Sequence, residues 1–206
     1  MTHRKLIVLR VVSAVAIVAW AAFIFSFSGQ TGGESGGLSA RVADVLVSMG
    51  DWLTGAATTG EARTAAIEAL QFPIRKAAHM SEYAVLALLV FAQLRLWPAF
   101  SGTGLPVRRV QAMTMGSLAK EDMSAEGRGA APSTPASPWG LYLRTLRKAA
   151  LVAWGCAALY AATDEVHQLF VPGRAGLFTD VLIDATGAAI GLLVAGSIIA
   201  LVNRPR

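Results

Sequence analysis

The chain has 206 residues, of which 54% are hydrophobic and only 15% charged, with a formal net charge of +5. A soluble domain carries about 25% charged residues, so this composition and a mean hydropathy of +0.53 exclude an ordinary water-soluble fold and point to a membrane protein. The lone cysteine, Cys156 in an apolar run, excludes a disulfide framework or thiolate zinc site within one chain. The basic excess lacks the aromatic interleaving and recognition helix of a nucleic-acid binder.

Leu6 to Phe25 is about as long as a hydrocarbon core requires, with Arg10 near its start, where the side chain can snorkel. The exit FSFSGQ has no clean small-x-small cleavage site, so an uncleaved first span is expected rather than a signal peptide. Thr31 to Gly37, TGGESGG, reads as a flexible link. Leu38, Val42, Leu46, Met49 and Leu53 then recur at helical spacing, with Arg41, Asp44 and Asp51 elsewhere. This predicts an amphipathic helix at the interface, followed by a short helix from Glu61 to Phe72. The two are expected to pack as an outer loop.

Ala77 to Trp97 is the second expected span, opened by Pro73, whose missing amide donor is not needed in a first helical turn, and stopped by Pro98. Ser101 to Pro138 is rich in Gly, Pro, Ser and Ala and is expected to be a disordered cytoplasmic loop. The third span is expected at about Leu146 to Thr163 and the fourth at about Phe178 to Val202. The fold class is thus an all-α integral membrane protein: one domain over 1–206, about four transmembrane helices and an outer amphipathic helical loop. Basic residues set the orientation. Arg4, Lys5 and Arg10, the long loop with Arg144, Arg147 and Lys148, and Arg204 and Arg206 fall on one side. Arg41, Arg63, Arg75, Lys76 and Arg174 fall on the other. Both termini are therefore expected in the cytoplasm.

Three segments then bring polar groups to one membrane face. Lys76, His79, Glu82 and Tyr83 share roughly a third of the second span's circumference at about 100° per residue. Asp164, Glu165, His167 and Gln168 end the third span. Asp180, Asp184, Gly187 and Gly191 form one stripe on the fourth, where the glycines permit close helix approach. Ionisable groups in a span are costly unless paired or wet, so such a cluster points to a functional site. A network that only holds the helix mouths together is the structural alternative.

Several chemistries suit these residues. His79, His167, Glu165 and the aspartates are possible metal ligands, but there is no HExxH and no zinc-specific spacing, so neither metal nor cofactor is assigned. Paired carboxylates such as Asp164 with Glu165, or Asp180 with Asp184, suit acid/base work, with His79 or His167 as proton carrier. No serine elbow or Cys-His arrangement is present. Arg174 and Lys76 suit an anionic headgroup, and Pro172-Gly173 would fix the turn that presents Arg174.

KAAHMSEYAVLALL (Lys76 to Leu89) and DEVHQLFVPGRAGLFTDVLIDATGAAIG (Asp164 to Gly191), with FSFSGQ at Phe25 to Gln30, resemble the VanZ-like family of bacterial integral membrane proteins. The matching positions are Lys76, His79, Tyr83, Asp164, Glu165, Gln168, Phe170, Pro172, Gly173, Arg174, Asp180, Gly187 and Gly191. The family often has Asn where this chain has Asp184, and the long Gly/Pro/Ser loop is unlike a compact member. The resemblance implies the bacterial cytoplasmic membrane and a cell-envelope role; the family takes its name from a protein associated with teicoplanin resistance.

Three functions remain open. One is an envelope module whose outer pocket recognises a lipid headgroup, lipid-linked wall precursor or lipoglycopeptide. In it Lys76, His79, Gln168 and Arg174 bind polar groups, with Glu82, Tyr83, Asp180 and Asp184 in the same pocket. The second is a membrane enzyme with Glu165 or Asp164 as general base and His79 or His167 as proton carrier. The third is a structural network or a small transporter. With four spans and no inverted repeat, a transporter would need a homo-oligomer to form a path.

Overall fold

A computed structural model describes residues 3–101 and 137–204. These residues form helices α1 (His3–Ser28), α2 (Gly32–Thr54), α3 (Gly60–Arg95), α4 (Pro138–Gln168) and α5 (Phe178–Val202). Three of them, α1, α3 and α5, are long and apolar enough to cross a membrane. Their outward surfaces carry large aliphatic side chains, such as Val15, Val18, Leu193 and Leu201. Exposure on this scale suits hydrocarbon and not water.

The stretch expected as a third span lies inside α4. Its uncharged run from 149 to 163 is short, with Arg147 and Lys148 before it and Asp164 and Glu165 after it. For that reason α4 falls below the length and apolarity of the other three. It is nevertheless part of the core. Ala149, Ala153, Ala157 and Ala161 are all buried, and small residues at every fourth position let neighbouring helices approach closely. The loop expected between Ser101 and Pro138 lies almost wholly outside the described residues.

Two expectations are corrected. Gly32–Gly37 is not a link but the first turns of α2. Thr31 caps that helix, its hydroxyl accepting from Glu34 N–H at 3.3 Å, while the Glu34 carboxylate accepts from Thr31 N–H at 2.9 Å. This reciprocal capping box offsets the poor helix propensity of the glycines. Its hydrogen bonds from Thr31 hold the Glu34 carboxyl below the ordinary glutamate range. Pro73, in turn, does not open a helix but sits inside α3, which runs unbroken through the expected loop helix and span. Its 36 residues extend about 54 Å, beyond the roughly 30 Å of a hydrocarbon core. The helix is therefore longer than a membrane crossing needs, and its turns before Pro73 pack against α2.

Those turns hold α2. Arg63 on α3 reaches Asp44 at 2.5 Å and Asp51 at 3.6 Å. The face of α2 turned to the protein is small and polar, with Ser39 and Ala43 buried. The expected apolar stripe divides along α2: Leu46, Met49 and Leu53 are exposed and Trp52 is 82% exposed, while Leu38 and Val42 border a cavity.

Helix directions follow from cross-helix contacts. A Cβ added at Gly187 would overlap the Met80 backbone, and one at Gly191 would lie 3.1 Å from Ala84 Cβ. With Lys76 paired to Asp180, α3 and α5 run side by side in the same direction. Helices α1 and α4 run the other way. Arg10 donates to Leu96 O at 2.8 Å, Trp20 Nε1 to Glu82 O at 2.9 Å and Tyr160 Oη to Ala21 O at 2.7 Å. The core between them holds Ile24, Tyr83, Leu86, Phe91 and the alanines of α4.

Candidate functional site

This topology brings the C-terminal turns of α1 and α4, the middle of α3 and the first turns of α5 to one end of the bundle. The connecting segment 169–177 is shaped by its turn residues. Gly173 has φ +73°, a left-handed conformation that favours glycine. Gly32 N–H donates to Pro172 O at 3.2 Å, and a Cβ on Gly32 would collide with Gly173 O. Glycine at both positions therefore lets this segment dock on the start of α2.

Arg174 leaves the docked turn and fastens it to α1. Its Nε donates to Gln30 O at 3.0 Å and Nη2 to Phe27 O at 3.3 Å. Both carbonyls lie at the negative end of α1, where a cation is favoured. Burial, and then the neighbouring Arg75 guanidinium, lower the Arg174 pKa from its ordinary value.

The acids take distinct places. Glu165 Oε2 accepts from Leu177 N–H at 2.8 Å, at the head of α5. Gln168 Nε2 donates to Asp164 Oδ2 at 3.1 Å and Glu165 Oε1 at 3.2 Å. Lys76 Nζ lies 2.6 Å from Asp180 Oδ2. Asp184 is only 1% exposed, and neither carboxylate oxygen has a hydrogen-bond partner among the described residues. His79 Nδ1 stands 3.9 Å from Asp184 Oδ1, too far for a hydrogen bond. Asp164 Oδ1 is likewise buried and unpartnered among the described residues, and the Tyr83 hydroxyl is buried beside the Asp164 carboxylate. Polar atoms buried in this state carry a desolvation cost of about 1–3 kcal/mol each.

Two cavities adjoin this cluster. One, of about 160 Å³, is walled by apolar side chains including Ile24, Phe27, Leu38, Val42 and Ile74, with Arg75, His79, Glu82, Asp164 and Arg174 at its polar side. The other, of about 320 Å³, is lined by Arg75, Lys76, His79, Gln168, Arg174 and Asp180. Arg75, His79 and Arg174 border both.

Of the sequence-predicted residues, Lys76, His79, Glu82, Asp164, Gln168, Arg174 and Asp180 therefore line a cavity. Glu165, Asp184 and Tyr83 are buried and line neither. His167 lies on another face of α4, stacked on Phe25 with ring centroids 4.2 Å apart, and also lines neither. Among the described residues no three His, Cys, Asp or Glu side chains gather as metal ligands would.

Sequence reasoning missed Arg75, counted there only as one of the basic residues on the side opposite the long loop. The signal was present: Arg75, His79 and Glu82 recur at i, i+4 and i+7, one face of a helix. Ser28, Ser35 and Ser39, which also line the apolar cavity, carried no comparable signal because their exposure depends on how α2 folds back.

A sequence model of the VanZ/LLP1 family matches residues 13–200. No curated protein and no solved structure matches the chain significantly.

Proposed function

The chain belongs to the VanZ/LLP1 family, and we propose that within this membrane protein the two cavities form one pocket for an amphiphilic envelope lipid, wall precursor or lipoglycopeptide. The observation that carries this reading is the shared border of Arg75, His79 and Arg174 between an apolar cavity and a basic one. An amphiphile needs such a pair of environments within one molecule's reach. Glycopeptide resistance, including that to teicoplanin, is the physiological setting proposed for such binding.

The pocket is placed at the outer face of the bacterial cytoplasmic membrane, with α4 as a fourth crossing and both termini in the cytoplasm. The parallel course of α1 and α4 supports this, as does the excess of Lys and Arg at the opposite end. The outward Leu46, Met49, Trp52 and Leu53 of α2 suit the interface beside the pocket mouth.

Native mass spectrometry in mild detergent tests the pocket. Wild type should retain an envelope amphiphile, and Ala78→Phe, which fills the apolar cavity, should not. Equal retention by both would contradict the reading.

A second reading, a lipid-modifying enzyme, is favoured by one observation: the unpartnered Asp164 Oδ1 and His79 Nδ1 belong to residues lining the same cavity. An acid/base pair beside a bound headgroup could move a proton. Chemical change in a lipid extract, lost in Asp164→Asn, would support it; unchanged extracts would leave binding alone.

A further inference from the structure

We propose that the larger cavity is a site for a terminal phosphate, so that the amphiphile is a phosphate-monoester lipid; this rests on the pocket reading above. The site offers guanidinium donors without a directly paired anion. Lys76 and Asp180 offset each other at 2.6 Å. Arg75 makes no hydrogen bond or ion pair among the described residues, and its Nε is buried without a partner. Arg174 uses Nε and Nη2 on backbone carbonyls and has no carboxylate within ion-pair distance among the described residues. Two partly buried guanidiniums thus border one space with no carboxylate paired directly to either among the described residues; they oppose each other's charge, while Asp164, Glu165 and Glu82 favour the Arg174 charge only from beyond ion-pair distance.

An anion standing between the two would relieve their mutual repulsion and meet the donors that no carboxylate contacts directly. Guanidinium matches phosphate with paired N–H donors. A phosphate monoester can carry two negative charges, which complement Arg75 and Arg174. A diester carries one and a neutral glyceride none. The Gly32 and Gly173 backbones form one wall, so no side chain intrudes there. Beyond the two arginines, Ile24, Phe27, Leu38 and Val42 supply the surface for the start of a hydrocarbon chain.

The test is native mass spectrometry of the purified full chain titrated with four probes: phosphatidic acid, phosphatidylglycerol and diacylglycerol of the same acyl chains, and inorganic phosphate. Phosphatidic acid should bind at least about tenfold more tightly than the other two lipids, a difference of about 1.4 kcal/mol. Arg75→Gln should abolish that preference and Arg75→Lys should restore part of it. Because Arg75 holds no backbone group, an unchanged melting temperature of Arg75→Gln separates binding from folding; Arg174→Gln gives a second reading of the same site. Inorganic phosphate adducts lost in Arg75→Gln, without preference among the lipids, would support the phosphate site but overturn its lipid source. Equal binding of all three lipids, unaffected by Arg75→Gln and with no phosphate adduct, would overturn the phosphate site and leave the amphiphile pocket standing. Binding of none of the four would overturn both.

Discussion

Replacing Gly187 with alanine probes the contact that positions the pocket's charged pairs. A Cβ there would overlap Met80 O and lie 2.6 Å from Met80 Cα and 2.7 Å from its carbonyl carbon. All three atoms are backbone, so no flexible side-chain end can yield, and α3 and α5 must move apart. Overpacking of this kind costs about 1–3 kcal/mol, and a rigid backbone contact belongs at the upper end. Alanine returns about 1 kcal/mol of helix propensity. The net loss is about 2 kcal/mol, or about 4–8 °C in melting temperature for a chain of this length. Gly196→Ala is the matched control, because nothing lies within 4 Å of its added Cβ. It should gain up to about 1 kcal/mol from propensity alone. Thermal unfolding by circular dichroism in one detergent compares the two. Gly187→Ala also separates the helices that hold Lys76 and Asp180, so the headgroup preference should weaken with stability. Equal stability of Gly187→Ala and Gly196→Ala would refute the close approach of α3 and α5.

Glu165→Ala removes the acceptor of Leu177 N–H. It should lower stability by about 1–3 kcal/mol and speed hydrogen exchange at Leu177, while Glu165→Gln, which keeps an acceptor oxygen, should lose less. Arg63→Ala should loosen α2 from α3 and raise protease cleavage within Gly32–Thr54, with a small global effect of about 0–1 kcal/mol, because the pair is partly exposed. The Glu34 carboxyl is depressed on folding, so its contribution is fully present above the ordinary glutamate value and is lost as pH falls through the folded one. Amide protection at the start of α2 should therefore decline on acidification in wild type but not in Glu34→Gln.

Three of the four expected spans, those in α1, α3 and α5, were legible because lipid contact demands long apolar runs. The bounds of α5 coincide with the expected fourth span, and α1 exceeds Leu6 to Phe25 by only a turn or less at each end. The stripe Asp180, Asp184, Gly187 and Gly191 does lie along α3, because helical spacing alone places those residues on one face. Local rules misled at two places. Glycine content outweighed the Thr31–Glu34 capping box, and Pro73 read as a boundary although α3 continues across it. A proline removes one donor and crowds one turn, which a long helix packed on both sides of that turn can absorb. The face Arg75 shares with His79 and Glu82 was legible, but its nearness to Arg174 depends on the docking of Gly173 on Gly32. That contact joins positions far apart in the chain and leaves no local trace in the sequence.

The most direct measurement is photolabelling in lipid nanodiscs with a phosphatidic acid that carries a diazirine in its acyl chain near the glycerol, followed by peptide mapping. The pocket account predicts labels concentrated on Ile24, Phe27, Leu38, Val42 and Ile74, displaced by excess unlabelled lipid and lost in Ala78→Phe. Labels spread evenly over Val15, Val18, Leu193 and Leu201, the outward faces of α1 and α5, would mean that lipid only surrounds the bundle and would contradict it.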